Sequence, residues 1–283
     1  MNGLAAFLRD VGMENLLTAI TLGLPRIVAL FTVVPFLGGG VVTGALRMTL
    51  ALPLAAFLFP LLPTFEQIGA ARTPDETTLF IIALMAKEIF IGLALGYLVS
   101  IMFWAVESAG FFIDNQRGGS SAQMSDPMSQ DQTSPTGSLL FQAMVFLFYT
   151  GGGFVAFLGM LFSTYVLWPV GELLPWPADL AFPLLFARQF GILFLYVVLL
   201  AAPLVIVCFL SDFCLGLINR FAQQLNVFVL SMGVKSAITA VLLFLYFFPL
   251  CYLLLELMAN IPTLHTTLDK AFGQPFAALL PGG

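Results

Sequence analysis

The chain has 283 residues, 60% of them hydrophobic and only 9% charged, with a net charge of -5. Soluble domains carry about 25% charged residues, so a conventional water-soluble fold is excluded, and with no basic patch nucleic acid is excluded as a partner. Cys208, Cys214 and Cys251 all lie in apolar runs without metal or disulfide spacing, and read as small buried hydrophobes.

The opening MNGLAAFLRDVGMEN lacks a basic stretch followed by an apolar one and a small-residue cleavage site, so no cleaved signal peptide is expected. Apolar segments follow at about 16–37, 46–63, 79–106, 139–168, 189–211 and 236–258, with an amphipathic seventh at 212–235. A hydrocarbon core takes about 20 apolar residues as helix; several of these segments only just reach that. No strand alternation is present, and the expected fold is all-α, a polytopic membrane-type protein of kinked and broken helices. Pro25, Pro35, Pro53, Pro60, Pro203 and Pro249 lie inside apolar segments, and each should kink or break its helix. Gly151-Gly152-Gly153 cuts 139–168 into two pieces too short to span. Broken helices persist where protein covers the freed backbone groups, so tight packing against other helices is expected. Residues 64–78 form a polar connection, and the tail 259–283 is expected to be partly irregular. Arg9, Arg47, Arg72, Arg117, Arg188, Arg220 and Lys270 are scattered, so the positive-inside rule fixes no orientation.

Charged and polar residues inside this apolar background are the functional candidates. Lys87 and Glu88 lie within the third segment. Adjacent residues do not share a helix face, so each should seek a partner elsewhere, in this chain or in a neighbouring subunit. Lys87 and Lys235 thus stand as unpaired charges. At the end of that segment Glu107, Gly110 and Asp114 fall on one face, and Asp114 and Arg117 are spaced to pair. Gln116 and Arg117 lead into paired glycines that should end the helix. The stripe is read either as the approach to a channel-lining loop or as an ordinary helix end at the aqueous interface. The polar interruption spanning 104–137 must face water or be buried in protein, and it is read as lying beside a pathway through the molecule. In 212–235, Asp212, Gly216, Asn219, Gln223 and Asn226 share one face, while Phe213, Leu217, Phe221, Leu225 and Phe228 share another. That pattern suits an interfacial helix, or one whose polar face meets a partner or a lumen. No GxSxG, HExxH or P-loop is present, and His265 sits alone in the polar tail. No enzymatic activity and no cofactor are expected.

Three stretches resemble the T subunit of the type III secretion export apparatus, the SctT/YscT/SpaR/HrcT family with its flagellar relative FliR. RIVALFTVVPFLGGGVVTGALRMTLAL does so through Arg26, Pro35, Gly38 and Arg47. KEIFIGLALGYLVSIMFWAVESAGFFIDNQRG does so through Glu88, Gly92, Gly96, Trp104, Glu107, Gly110, Asp114 and Arg117. LSDFCLGLINRFAQQLNVFVLSMGVKSA is the most specific, through Asp212, Gly216, Asn219, Arg220, Leu225, Asn226, Phe228, Ser231, Lys235 and Ser236. Relatives commonly place prolines where Gln223 and Gly233 stand here, which touches local helix geometry.

The resemblance implies a core subunit of a closed export gate in the bacterial inner membrane, multi-pass, with much of the assembly on the periplasmic side. It implies an R-subunit-like part over 1–211, an S-subunit-like helical hairpin over 212–258 and a C-terminal tail over 259–283. A plug loop at about 118–137 would line the channel with Gly118, Gly119, Ser120, Ser121, Met124, Asp126, Pro127 and Met128. Glu107, Asp114, Gln116 and Arg117 would form the polar helix end near it. Lys87, Glu88, Asp212, Arg220, Asn226 and Lys235 would serve subunit packing. The implied partners are R- and S-type subunits in a hetero-oligomer, U- and V-type export subunits, rod and needle proteins, secreted unfolded proteins and membrane lipid. The detail of LSDFCLGLINRF and VKSA points to a virulence system rather than a flagellar one. The rivals are a small-molecule or ion transporter using Lys87, Glu88 or Glu107 in a midplane site, and a structural scaffold. No paired halves support the first, and the long polar loop argues against the second.

Overall fold

A computed structural model of the chain describes residues 13–38, 42–58, 74–119, 134–173, 181–221 and 226–259. Among the described residues the regular structure is all helical. Helix α1, Met13–Val33, ends where Pro35 opens a short 3-10 turn, Pro35–Leu37. Then come α2, Gly44–Phe57, and α3, Pro74–Gln116. Next are α4, Pro135–Thr150, and α5, Gly153–Leu167. The last two are α6, Ala181–Phe221, and α7, Val227–Ala259.

Several boundaries differ from the sequence reading. Pro25, Pro53, Pro203 and Pro249 sit inside continuous helices, and only Pro35 coincides with a helix end. A proline removes one backbone hydrogen bond; in apolar surroundings every other turn still gains by closing its own bonds, so the helix continues. Pro60 lies outside the described residues. The separate segment 212–235 does not exist as such: its first turns extend α6 to Phe221, and its last belong to α7 from Val227. The polar residues there decorate two apolar helices rather than forming a third. The glycine triplet does break its helix, with Gly152 at φ +77, a backbone conformation natural to glycine.

The three longest helices, α3, α6 and α7, are apolar and long enough to cross a membrane. With 43 residues in α3 and 41 in α6, these helices are roughly 60 Å long, about twice the hydrocarbon thickness. The most apolar stretch of α3 is 61% buried within the chain, against 22% in α6 and 17% in α7. α3 is therefore the enclosed helix, whereas α6 and α7 leave broad apolar faces, including Phe209, Phe213, Phe244 and Phe248, for lipid or protein to cover.

The described residues group into two compact units. One holds residues up to Ser100 together with Phe154–Phe186. In it α1 and α2 pack together, and α1 crosses α3 at two glycines. A Cβ on Gly92 would strike the Arg26 carbonyl oxygen, and one on Gly96 would lie 2.8 Å from Val33 Cβ. Leu22, Ile27, Leu30, Phe31, Leu84 and Phe157 are fully buried in this unit. The other unit holds Ile101–Gly153 with Ala187–Asn260. There α4 packs on α7, burying Leu140, Met144 and Phe148 at four-residue spacing, one stripe of a helix. Phe148 stands edge-on to Phe103, ring centroids 5.3 Å apart. Of the cysteines expected to be buried only Cys208 is; Cys214 is exposed and Cys251 half-buried, on the two helices that leave broad apolar faces uncovered within the chain.

Candidate functional site

The candidate channel residues begin where α3 ends. Asp114, in its last turn, is 6% exposed. Its Oδ2 accepts hydrogen bonds from the Ser134 hydroxyl at 2.6 Å and from the Thr136 backbone N–H at 2.9 Å. Ser134 is the N-cap of α4: its hydroxyl oxygen accepts the Gly137 N–H at 2.9 Å, satisfying an orphan donor of the first turn. Pro135 occupies the following position, where a missing N–H costs nothing. The negative charge of Asp114 also suits the positive end of α4. Arg117 lies 2.9 Å from the other carboxylate oxygen, a charge contact, as its spacing from Asp114 led one to expect.

Two glycines bring the helices this close. A Cβ on Gly110 would collide with the backbone of Gly137. The chain leaves α3 through Gly118, at φ +99, which rests against the Met232 side chain of α7. Gln116 is half-buried; Glu107 is exposed and, among the described residues, without a side-chain partner, so of the expected stripe Gly110 and Asp114 meet the start of α4 and the Glu107 side chain does not. Gly119 is placed beside Asp114, where a Cβ would lie 2.9 Å from its carbonyl oxygen. Ser120, Ser121, Met124, Asp126, Pro127 and Met128 lie outside the described residues.

A second polar cluster sits wholly inside the first unit. Arg26 and Glu88 are both fully buried. Arg26 donates from Nε to Oε2 of Glu88 at 2.6 Å and from Nη2 to Oε1 at 3.0 Å, a bidentate pair. Its remaining donors reach Thr164 Oγ1 at 3.1 Å and the Trp168 carbonyl at 2.9 Å. The guanidinium lies 4.1 Å from the ring centre of Tyr165, whose hydroxyl donates to the Gly23 carbonyl. Lys87 corrects the sequence reading: its ammonium is 2.9 Å from Glu88 Oε1. Neighbouring positions diverge by about 100° on a helix, but both long side chains bend toward the end of α5. There Lys87 donates to the carbonyls of Pro169, Val170 and Glu172, in the turn that follows the helix. Three helices are thus tied at one carboxylate.

The third cluster joins α6 and α7. Lys235 Nζ lies 3.0 Å from Oδ1 and 3.1 Å from Oδ2 of Asp212, and a turn of helix away Cys208 meets Thr239 at 3.2 Å. Lys87 and Lys235, expected to be unpaired, therefore both have partners in the chain. Arg220 is exposed in the last turn of α6, and Asn226 caps α7 by a long 3.5 Å contact from Val229 N–H. Because Asp212 is 38% exposed and Lys235 only 10%, the two halves of this pair are not equivalent. Asp212→Ala strands the more buried charge and is expected to cost more than Lys235→Ala, both within about 1 kcal/mol after solvent screening. Thermal unfolding of the two variants in the purified assembly measures this; the reverse order would rule it out.

Sequence reasoning missed Arg26 as a cluster centre, with Thr164, Tyr165, Ser134 and Thr136. A lone arginine in the apolar run 16–37 was the signal for the first, since a buried guanidinium must find a carboxylate. Ser134-Pro135 was the signal for the second, as an N-cap followed by proline.

Residues 17–261 match the model of the bacterial export proteins, family 1. The chain is 42% identical over 238 residues to the Yop proteins translocation protein T of Yersinia pestis, covering 84% of this chain and 88% of that one. It is 33% identical to the surface presentation of antigens protein SpaR of Salmonella typhimurium, covering 84% and 86%. It is 30% identical to the flagellar biosynthetic protein FliR of Bacillus subtilis, covering 81% and 86%.

Proposed function

The chain belongs to the bacterial export proteins, family 1, and from that membership we propose that it is a core subunit of a type III secretion export gate in the bacterial inner membrane. The observation that carries this reading is near-full-length similarity to secretion proteins combined with apolar helices about twice as long as a bilayer is thick. Such helices suit an assembly held together by subunits rather than a lone bundle in lipid. The higher identity to the Yersinia protein than to FliR favours a virulence system. In this reading 1–211 is the R-like part, 212–258 the S-like hairpin and 259–283 the tail. R- and S-type subunits cover the apolar faces of α6 and α7, U- and V-type subunits adjoin the gate, and much of the complex stands on the periplasmic side. Unfolded rod, needle and effector proteins pass through, driven by partner subunits rather than by chemistry in this chain.

The transporter reading needs an available buried charge. Glu88 is engaged on both oxygens by Arg26 and Lys87, and Lys87 also holds three carbonyls, so neither offers a substrate site.

The segment from Gly118 to Gly137 is the proposed plug. Its composition of Gly, Ser, Asp and Pro contributes little apolar burial, so shortening it should cost the assembly little stability. Gates assembled with R- and S-type subunits and carrying a shortened 120–133 are expected to form in normal amount and to leak ions across the inner membrane. Normal assembly with a membrane as tight as wild type would remove the plug assignment.

A further inference from the structure

We infer that Asp212 and Lys235 set the register of α6 against α7: they are positioning residues whose pairing selects one alignment of two apolar helices over its near neighbours. The register rests on geometry within one chain; only its consequence for assembly rests on the export-gate reading.

Two contacts report the same antiparallel alignment. Asp212 meets Lys235, and one turn back along α6 and one turn on along α7, Cys208 meets Thr239 at 3.2 Å. The seam that carries them is narrow. On α6 Leu204, Cys208 and Ser211 are buried, at four- and three-residue spacing; on α7 Ser231, Lys235 and Thr239 are, at four-residue spacing. Elsewhere both helices are long runs of Leu, Val, Ile and Phe. Such surfaces discriminate poorly between alignments, because in lipid an apolar side chain gains little by exchanging one apolar neighbour for another. A slip of one helical turn would keep an apolar stripe against an apolar stripe.

The ion pair does not tolerate that slip. Sliding by one turn in one direction sets Lys235 level with Cys208, and in the other level with Gly216. Neither offers a carboxylate, and Asp212 would face Ser231 or Thr239 instead. The Lys235 side chain is only 10% exposed, so the ammonium would lose its counter-charge where it is nearly buried, which is costly. A polar or charged side chain in an otherwise apolar seam fixes register in coiled coils in the same way. Register in turn decides which residues of α6 and α7 lie level, and so the shape of the apolar face offered to neighbouring subunits.

The seam supplies its own reporter. Thr239→Cys places a second thiol against Cys208, and disulfide formation between them reads the native alignment within one chain, with Cys214 and Cys251 replaced by alanine. Leu243→Cys with Thr239 intact reads a one-turn slip in one direction through Cys208. Leu204→Cys with Thr239→Cys and Cys208→Ala reads the other. Membranes from cells producing the complete export apparatus are treated with copper–phenanthroline. With Asp212 and Lys235 present, only the native cross-link is expected. Asp212→Ala or Lys235→Met is expected to slow it about fivefold, the scale of an exposed-edge ion pair, and to bring up a slipped cross-link. Exchanging the two charges, Asp212→Lys with Lys235→Asp, is expected to restore the native one. Asp212→Asn carries the measurement if the truncated variants fail to accumulate. Native cross-linking alone in every variant overturns the inference. Loss of all three cross-links also overturns it, since the helices then part rather than slip. A slipped register in a complex assembled in normal amount overturns the consequence for the gate and supports the register.

Discussion

Glu88→Ala is expected to be the most damaging side-chain truncation in the chain. Glu88 holds two cations, Arg26 with no exposure and Lys87 with 7%. Removing it leaves two like charges close together in a buried site. Breaking a buried pair in this way costs about 3–5 kcal/mol, several times the worth of the exposed-edge pair between Asp212 and Lys235. The damage should spread beyond α3, because the same cations bind Thr164 and the carbonyls that follow α5. Glu88→Gln, which keeps the shape and one acceptor, should be milder. Pairing Glu88→Gln with Arg26→Met should recover part of the loss, since an apolar replacement of a buried pair is often nearly neutral. Recovery of assembled complex and its melting temperature are the measurements. A Glu88→Ala complex that melts within about 2 °C of wild type, a shift worth only about 1 kcal/mol for a chain of this size, would refute the account.

The second large effect concerns helix crossings. Gly92→Val and Gly110→Val are expected to destabilise by about 1–3 kcal/mol or more, because the added atoms meet groups that cannot yield. At Gly92 the obstacle is the Arg26 carbonyl, and at Gly110 it is the backbone of Gly137 and Thr136. Gly191, Gly216 and Gly233 are also helical, yet a Cβ there meets nothing within 4 Å. Alanine at those three should be neutral or favourable to this chain, by roughly 0.5–1 kcal/mol. The contrast separates contacts within the chain from contacts between subunits: an assembly defect from Gly216→Ala or Gly233→Ala would have to originate in a neighbouring subunit. Equal behaviour of the two groups of glycines would contradict the crossing geometry.

Local chemistry was legible in the sequence, and distant pairing was not. The glycine triplet, the stop after Gln116 and the Asp114–Arg117 pair are set within a few residues, and all stand as expected. The all-α class followed from composition and period alone. Helix continuity through Pro25, Pro53, Pro203 and Pro249 was not legible, because it depends on surroundings that punish any further loss of backbone bonds. The same holds for the false segment 212–235, where a polar face suggested a separate helix although it belongs to the ends of two. Arg26 and Glu88 are 62 residues apart and Asp114 and Ser134 are 20 apart; no spacing rule joins them. Lys87 was misjudged for a different reason, since the rule about neighbours concerns where side chains start, and lysine ends about 6 Å away from there.

A helix twice as tall as the hydrocarbon layer has a consequence for how the protein finds its level in the membrane. An ordinary spanning helix is held vertically by mismatch: moving it up or down drags apolar surface into water or polar ends into oil, and fractions of a kcal/mol per Å restore it. α3 and α6 carry apolar residues well past either edge of a 30 Å slab. Over that excess the restoring force vanishes, because the same surface meets lipid at one height and protein at another. Bilayer thickness therefore does not set the depth of this subunit. Its neighbours must, and a change of lipid chain length should leave its register unmoved while a change of neighbour would not.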